Sequence, residues 1–181
     1  MNRDEAVTLV KKHLKNKNLF KHCLAVEACM RALADHFGED PEKWGLAGIL
    51  HDIDYEMTAD NPEEHGEKSL DILQEYDIEP DILRAIQAHA GRVPCTNKME
   101  WSIFAVDPLT GLIVAAALMH PAKKLAHVDE GFIQRRYQEK SFARGAKRED
   151  IEQIKNIGMS KEELIRISLK AMQDIDKELG L

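Results

Sequence analysis

Six residues of this 181-residue chain carry its most distinctive chemistry: His22, the adjacent pair His51-Asp52, His65, His89 and Asp107. Apolar residues recur around them at helical spacing, so each side chain is expected to point inward from its own helix. A buried imidazole or carboxylate without a partner is costly, and a metal ion would satisfy all of these groups at once. Imidazole and carboxylate together suit borderline and hard divalent ions: iron, manganese, nickel, cobalt or zinc, with magnesium as a further option. His51 and Asp52, at a helix end, can approach one ion together, and His22 and Asp107 would complete a site with positions open for water. His65 and His89 could then hold a second ion, with Asp52 bridging the pair. Two ions so placed clamp the attacking and leaving oxygens of a phosphoryl displacement.

The elements that must position these residues read as helices throughout, and an all-α fold is expected. A first helix covers about Asp4 to Lys15. A second begins near Leu19, carries Val26, Met30, Leu33 and Phe37 on the stripe of His22, and ends at Gly38. Asp40 as N-cap with Pro41 at the first helical position opens a third, which sets Trp44, Ala47, Gly48 and His51 on one face. Asn61-Pro62-Glu63-Glu64 repeats that start signal as a capping box, so a fourth helix is expected with His65, Ser69, Ile72 and Tyr76 inward. A fifth, from near Pro80, reads Ile82, Ile86, His89 before Gly91 and Pro94 break it. A sixth sets Ile103, Asp107, Gly111, Val114 and Leu118 on one face and closes at Pro121. A surface loop around Gly145 follows, and Ser160 with Glu163 caps a last helix with Leu164, Ile167, Ala171 and Ile175 inward. One domain over residues 1–181 is expected, its ligand-bearing core about 19–118 and its basic C-terminal helices 121–181.

Each candidate ligand has a structural rival. Asp107 precedes Pro108 and could be the N-cap of a helix starting there. His65 falls in the first turn of its expected helix, where a polar residue can face solvent. His89, just before a proline-containing loop, could be a core histidine with both nitrogens hydrogen-bonded.

The ordered pattern His22, His51-Asp52, Asp107 resembles the HD-domain superfamily of metal-dependent phosphohydrolases. The strings LFKHCLAVEACMRALA, GLAGILHDIDYE, EEHGEKSLDIL, AIQAHAG and AVDPLTGLI each resemble a ligand-bearing segment of that family. The resemblance implies an HD-type helical fold with His22, His51, Asp52 and Asp107 on a first metal, and His65 and His89 on a second, as in the two-metal branch. It implies hydrolysis of a nucleotide or other small phosphate ester by metal-activated water, with Asp52 and Asp107 in the reaction. In some branches acidic residues shortly after the HD pair take part in catalysis; here Asp54 and Glu56 occupy that stretch. The Gly-Tyr-Pro motif of the cyclic dinucleotide phosphodiesterase branch is absent. Two other functions stay open: a di-iron oxygenase, since some proteins similar to this fold hold two irons on four histidines and two aspartates, and a non-catalytic nucleotide-binding module.

Composition narrows the partners. With 44% apolar and 31% charged residues the chain reads as an ordinary globular protein, and its net charge of -7 disfavours nucleic acid as the main partner. Residues 121–148 run against that balance, with eight Lys and Arg to three acids. This segment could attract a small anionic phosphate-containing substrate, and Lys123, Lys124 and Lys140 are its candidate phosphate contacts. The polar start Met1-Asn2-Arg3-Asp4-Glu5 does not read as a signal peptide, and the apolar run Leu112 to Met119 is shorter than the roughly 20 residues a bilayer requires. A cytoplasmic location without membrane attachment is therefore expected; a homo-oligomer is compatible with the sequence. Cys23, Cys29 and Cys95 form no CxxC pair and read as reduced thiols.

Overall fold

The computed structural model describes residues 1–181. It contains helices and turns and no strand. Asn2 caps α1 (Arg3–His13) in a full capping box with Glu5, so this helix starts and stops slightly before the expected bounds. The next helix, α2 (Lys17–Phe37), ends on Gly38, whose φ of 70° is the left-handed conformation glycine adopts without strain. Asp40 accepts the N–H groups of Glu42 and Lys43 to open α3 (Pro41–Leu50), as its sequence signal implied. Helices α2 and α3 lie in close contact because Gly48 presents no side chain: a Cβ there would stand 2.8 Å from Glu27 Cα. Arg31 reinforces the contact, binding Glu27 on its own helix and Glu42 on α3, while Arg3 brings α1 to the same Glu27.

After the HD pair come α4 (Tyr55–Thr58) and a 3₁₀ turn, Pro62–Glu64. Here the expected fourth helix needs correction. Asn61 makes no capping bond, His65 lies outside any helix, and Gly66 at φ 85° breaks the chain before α5 (Glu67–Leu73). The spacing of His65, Ser69 and Ile72 imitates a helical stripe, but a left-handed Gly66 interrupts it, and Tyr76 is exposed. Next, α6 (Pro80–His89) buries Ile82, Ile86 and His89 as its pattern requires.

The central element is α7 (Lys98–Met119), opened by Asn97 and continuing through Pro108. Asp107 is thus mid-helix, which removes its reading as an N-cap. By length and composition α7 is apolar enough to cross a membrane; its Ile103, Val106, Leu109, Leu112 and Ile113 are fully buried in the protein core against α2, α6 and later helices. The expected inward face of Asp107, Gly111, Val114 and Leu118 is only partly covered, with Leu118 exposed. It borders a cleft and the surface, while the intervening residues fill the core. The chain closes with α8 (Glu130–Gln138), α9 (Arg148–Ile151), α10 (Lys161–Asp174) and α11 (Asp176–Leu179). Ser160 caps α10, whose Leu164 and Ala171 are buried while Ile167 is half-buried. One apolar cluster extends from Ala6 through α2, α3 and α7 to Leu179 and fixes the helices on or beside which His22, His51, Asp52, His89 and Asp107 stand.

Candidate metal centre

Each of four imidazoles is held by its Nδ1. His51 Nδ1 donates to the Gly48 carbonyl at 2.8 Å, in the last turn of α3, and His89 Nδ1 to the Ile86 carbonyl at 2.5 Å, in the last turn of α6. His65 Nδ1 donates to Asp54 at 2.7 Å. The Thr110 hydroxyl gives its proton to the Asp107 carbonyl, so it accepts His22 Nδ1 at 3.2 Å. In each ring's neutral form the proton sits on Nδ1 and Nε2 presents a lone pair.

Those Nε2 atoms meet in two pairs: His22 and His51 at 3.2 Å, and His65 and His89 at 3.2 Å. Asp52 stands between the pairs. Its Oδ2 lies 3.5 Å from both His22 and His51, and its Oδ1 lies 3.4 Å from His65 and 3.5 Å from His89. Asp107 Oδ1 closes the first group, 3.0 Å from His22 and 3.8 Å from His51. Lone pairs facing one another at such distances repel unless a proton or cation lies among them. Donor atoms sharing one ion at bonds of about 2.1 Å stand roughly 3.0–3.4 Å apart, close to these separations. The residues therefore fit a pair of divalent ions, with His22, His51, Asp52 and Asp107 for one, His65, His89 and Asp52 for the other.

The electrostatics agree with that fit. Burial alone would raise the Asp52 carboxyl, yet the neighbouring imidazoles hold it at about 2. Asp107, half-buried at the cleft edge, is likewise held well below the carboxylate range by His22 and His51. Burial pushes His89 down, keeping that imidazole neutral and able to ligate. His51 behaves oppositely: burial is overcome by Asp52 and Asp107, and its proton is retained up to about 9 when no ion replaces it.

All six candidate ligands expected from the sequence meet in this cluster; the other expectations fare differently. Asp54 is fully buried and accepts His65 Nδ1, Gly66 N and Ser69 N, so it orients a ligand instead of facing a reactant. Burial notwithstanding, these three donors lower its carboxyl. Glu56 is turned away: both its oxygens accept backbone N–H groups of Lys15 and Asn16 in the α1–α2 connection. A cleft of about 410 Å³ opens over the cluster, and Lys123, Lys124 and Lys140 do not line it. Lys147 does, together with Gly145, Asp150 and Tyr55. Thr110 and Lys147 had no motif to mark them; their positions depend on contacts between distant segments.

The HD domain family matches residues 19–177, almost the whole chain from the start of α2 to α11. The chain belongs to the HD-domain family. This is a superfamily of metal-dependent phosphohydrolases, and its HD dipeptide is here His51-Asp52. Among curated relatives, Ribonuclease Y of Sulfurovum sp. (strain NBC37-1) is 26% identical over 162 residues, 88% of this chain and 32% of that protein. Ribonuclease Y of Bacillus subtilis (strain 168) is 27% identical over 168 residues, 90% of this chain and 32% of the relative. Ribonuclease Y of Oleidesulfovibrio alaskensis is 29% identical over 96 residues, 53% of this chain and 18% of the relative. The HD chain thus spans about a third or less of the length of these proteins. No solved structure matches it.

Proposed function

We infer that this HD-domain protein hydrolyses a phosphate ester, with a nucleotide or another small phosphorylated molecule as substrate. The observation that carries the reading is the division of Asp52, one oxygen toward His22 and His51 and the other toward His65 and His89. When bound, divalent ions supply a water acidic enough to yield hydroxide near neutral pH, together with positive charge for phosphate oxygens. Asp52 would set the spacing of the two positions, and Asp54 would hold His65 to its task. Asp107, whose side chain is 34% exposed at the cleft, would fix the first ion together with His22 and His51. The cleft volume of about 410 Å³ falls in the range of small-molecule sites.

A second substrate reading comes from the relatives, which are named as ribonucleases. It favours a phosphodiester of RNA over a monoester, and it applies to a chain that covers only 32% of those proteins. Both readings are tested by loading purified protein with manganese, nickel, cobalt, iron or zinc. Nucleoside monophosphates, p-nitrophenyl phosphate, bis(p-nitrophenyl) phosphate and short RNA oligonucleotides are then assayed. Turnover that falls by at least about 10³-fold in His51→Ala and Asp52→Ala supports the hydrolase. No turnover on the whole panel, with oxygen uptake by the anaerobically iron-loaded protein, would replace it with an oxygenase.

A further inference from the structure

We propose that Lys147 is the phosphate-contacting residue of the cleft, carried by a turn whose backbone carbonyls the Arg148 guanidinium gathers. The proposal rests on the phosphate-ester reading above and names the side chain that would recognise the substrate's anionic oxygens.

Lys147 is the one Lys or Arg lining the cleft, whose other charged walls include Asp52, Asp107 and Asp150. Its side chain is exposed and enters no ion pair, although Asp150 stands one helical turn further on. The other cations of residues 121–148 are engaged or lie elsewhere. Arg136 pairs with Glu139, and Arg148 is consumed by the backbone. The Arg148 guanidinium donates to the carbonyls of Phe142 at 2.7 Å, Ala143 at 2.8 Å, Ala146 at 2.7 Å and Tyr137 at 3.2 Å. A guanidinium offers five N–H donors in a fixed plane, so one side chain can gather a whole turn in this way.

The gathered turn is also strained. Ala143 sits at φ 44°, a left-handed conformation that is unfavourable for a residue with a Cβ. Such conformations persist where surrounding contacts over-determine them, and they cluster at binding sites. The turn meets the metal centre directly: Gly145 borders both the main cleft and an adjoining hollow with Asp107 and Pro108. Lys147 follows two residues later. An unpaired ammonium on this turn, lining the same cleft as His22, His65, His89, Asp52 and Asp107, suits the anionic oxygens of a substrate phosphate. A lysine serves such a contact as a point charge with rotatable donors.

The test combines turnover with binding of inorganic phosphate to the metal-loaded protein, followed by calorimetry, in wild type, Lys147→Ala and Lys147→Arg. The expected result is a rise in KM and a loss of phosphate affinity of about tenfold or more in Lys147→Ala. Unchanged metal content and substantial recovery in Lys147→Arg complete the pattern. Phosphate affinity and KM within twofold of wild type in Lys147→Ala would overturn the assignment while leaving the hydrolase intact. If wild type binds phosphate without turning over any substrate, phosphate affinity alone decides for or against Lys147. If wild type neither binds phosphate nor turns over any ester, the assignment and the hydrolase reading fall together.

Discussion

Asp54 accepts the Nδ1 proton of His65 at 2.7 Å while its other oxygen accepts the backbone N–H of Gly66 at 2.7 Å. One carboxylate thus fixes both the ring of a candidate ligand and the sharp backbone turn that delivers it. Replacing it by Asn leaves an NH₂ group facing one of three donors. Asp54→Asn is expected to weaken binding at the His65/His89 position by about 10- to 100-fold. The other position should keep its affinity. Metal content at limiting ion concentration, read by elemental analysis, should fall from two ions toward one. Retention of both with wild-type affinity would remove Asp54 from its orienting role.

Gly48 serves two functions that no other residue can combine. Its missing side chain lets α3 rest on the Glu27 backbone of α2, and its carbonyl holds His51. In Gly48→Ala the new Cβ would lie 2.8 Å from Glu27 Cα and 2.9 Å from Glu27 N, atoms that cannot rotate away. Destabilisation of about 1–3 kcal/mol is expected in chemical denaturation, as for other overpacked sites, accompanied by weaker metal binding. Gly111→Ala is the contrasting case, since a Cβ there meets nothing within 4 Å in the middle of α7. It should raise stability by about 0.5–1 kcal/mol. Equal costs for the two substitutions would contradict this packing.

Protons and metal ions compete for His51. Its pKa is raised from 6.5 to about 9 in the metal-free protein, where attraction to Asp52 and Asp107 outweighs burial. That proton stabilises the metal-free fold fully below the unfolded value of 6.5, and its contribution is lost as pH rises through about 9. Metal uptake at pH 7 should therefore release a proton, and apparent affinity should climb with pH until about 9. Calorimetric titrations in buffers of different ionisation heat measure the release directly. A proton count near zero at pH 7 would place the His51 proton elsewhere.

The cysteines should be unreactive in the native protein. Burial pushes the Cys29 thiol up to about 12 and Cys23 well above its ordinary range, and burial also lifts Cys95 to about 11. A thiol-selective reagent at pH 8 is expected to label Cys95 slowly, Cys23 and Cys29 only after denaturation. Rapid native labelling of two thiols would show that α2 opens more readily than its burial suggests.

Much of the site was legible before the fold, because capping and periodicity are local. Asp40-Pro41 set the start of α3, Gly38 the end of α2, and the stripe through Trp44 and Ala47 pointed His51 inward. The reading broke down where chain direction changes without an apolar pattern to report it. His65 seemed helical because Ser69 and Ile72 follow at helical spacing; the contrary signal was Gly66, whose positive φ the sequence states only as a residue type. Glu56 is close to the HD pair in sequence, yet the chain has turned, and its carboxylate caps the α1–α2 connection. Lys147 was one of eight basic residues with nothing local to single it out. Its place is set by carbonyls that Arg148 collects from up to 12 positions away.

The two sides of Asp52 rest on unequal foundations. His22, His51 and Asp107 stand on α2, α3 and α7, long or fully packed helices joined through the main apolar core. His65 stands between a three-residue 3₁₀ turn and Gly66, in a segment whose 3₁₀ residues include no buried side chain. Few buried contacts mean a low free energy for local opening. The His65 side should breathe on its own while the His22 side stays shut, so amide hydrogens of Asn61, Glu63 and Glu64 should exchange long before those of α3. An ion at that position would then come and go on the timescale of a loop, its neighbour on the timescale of the whole fold.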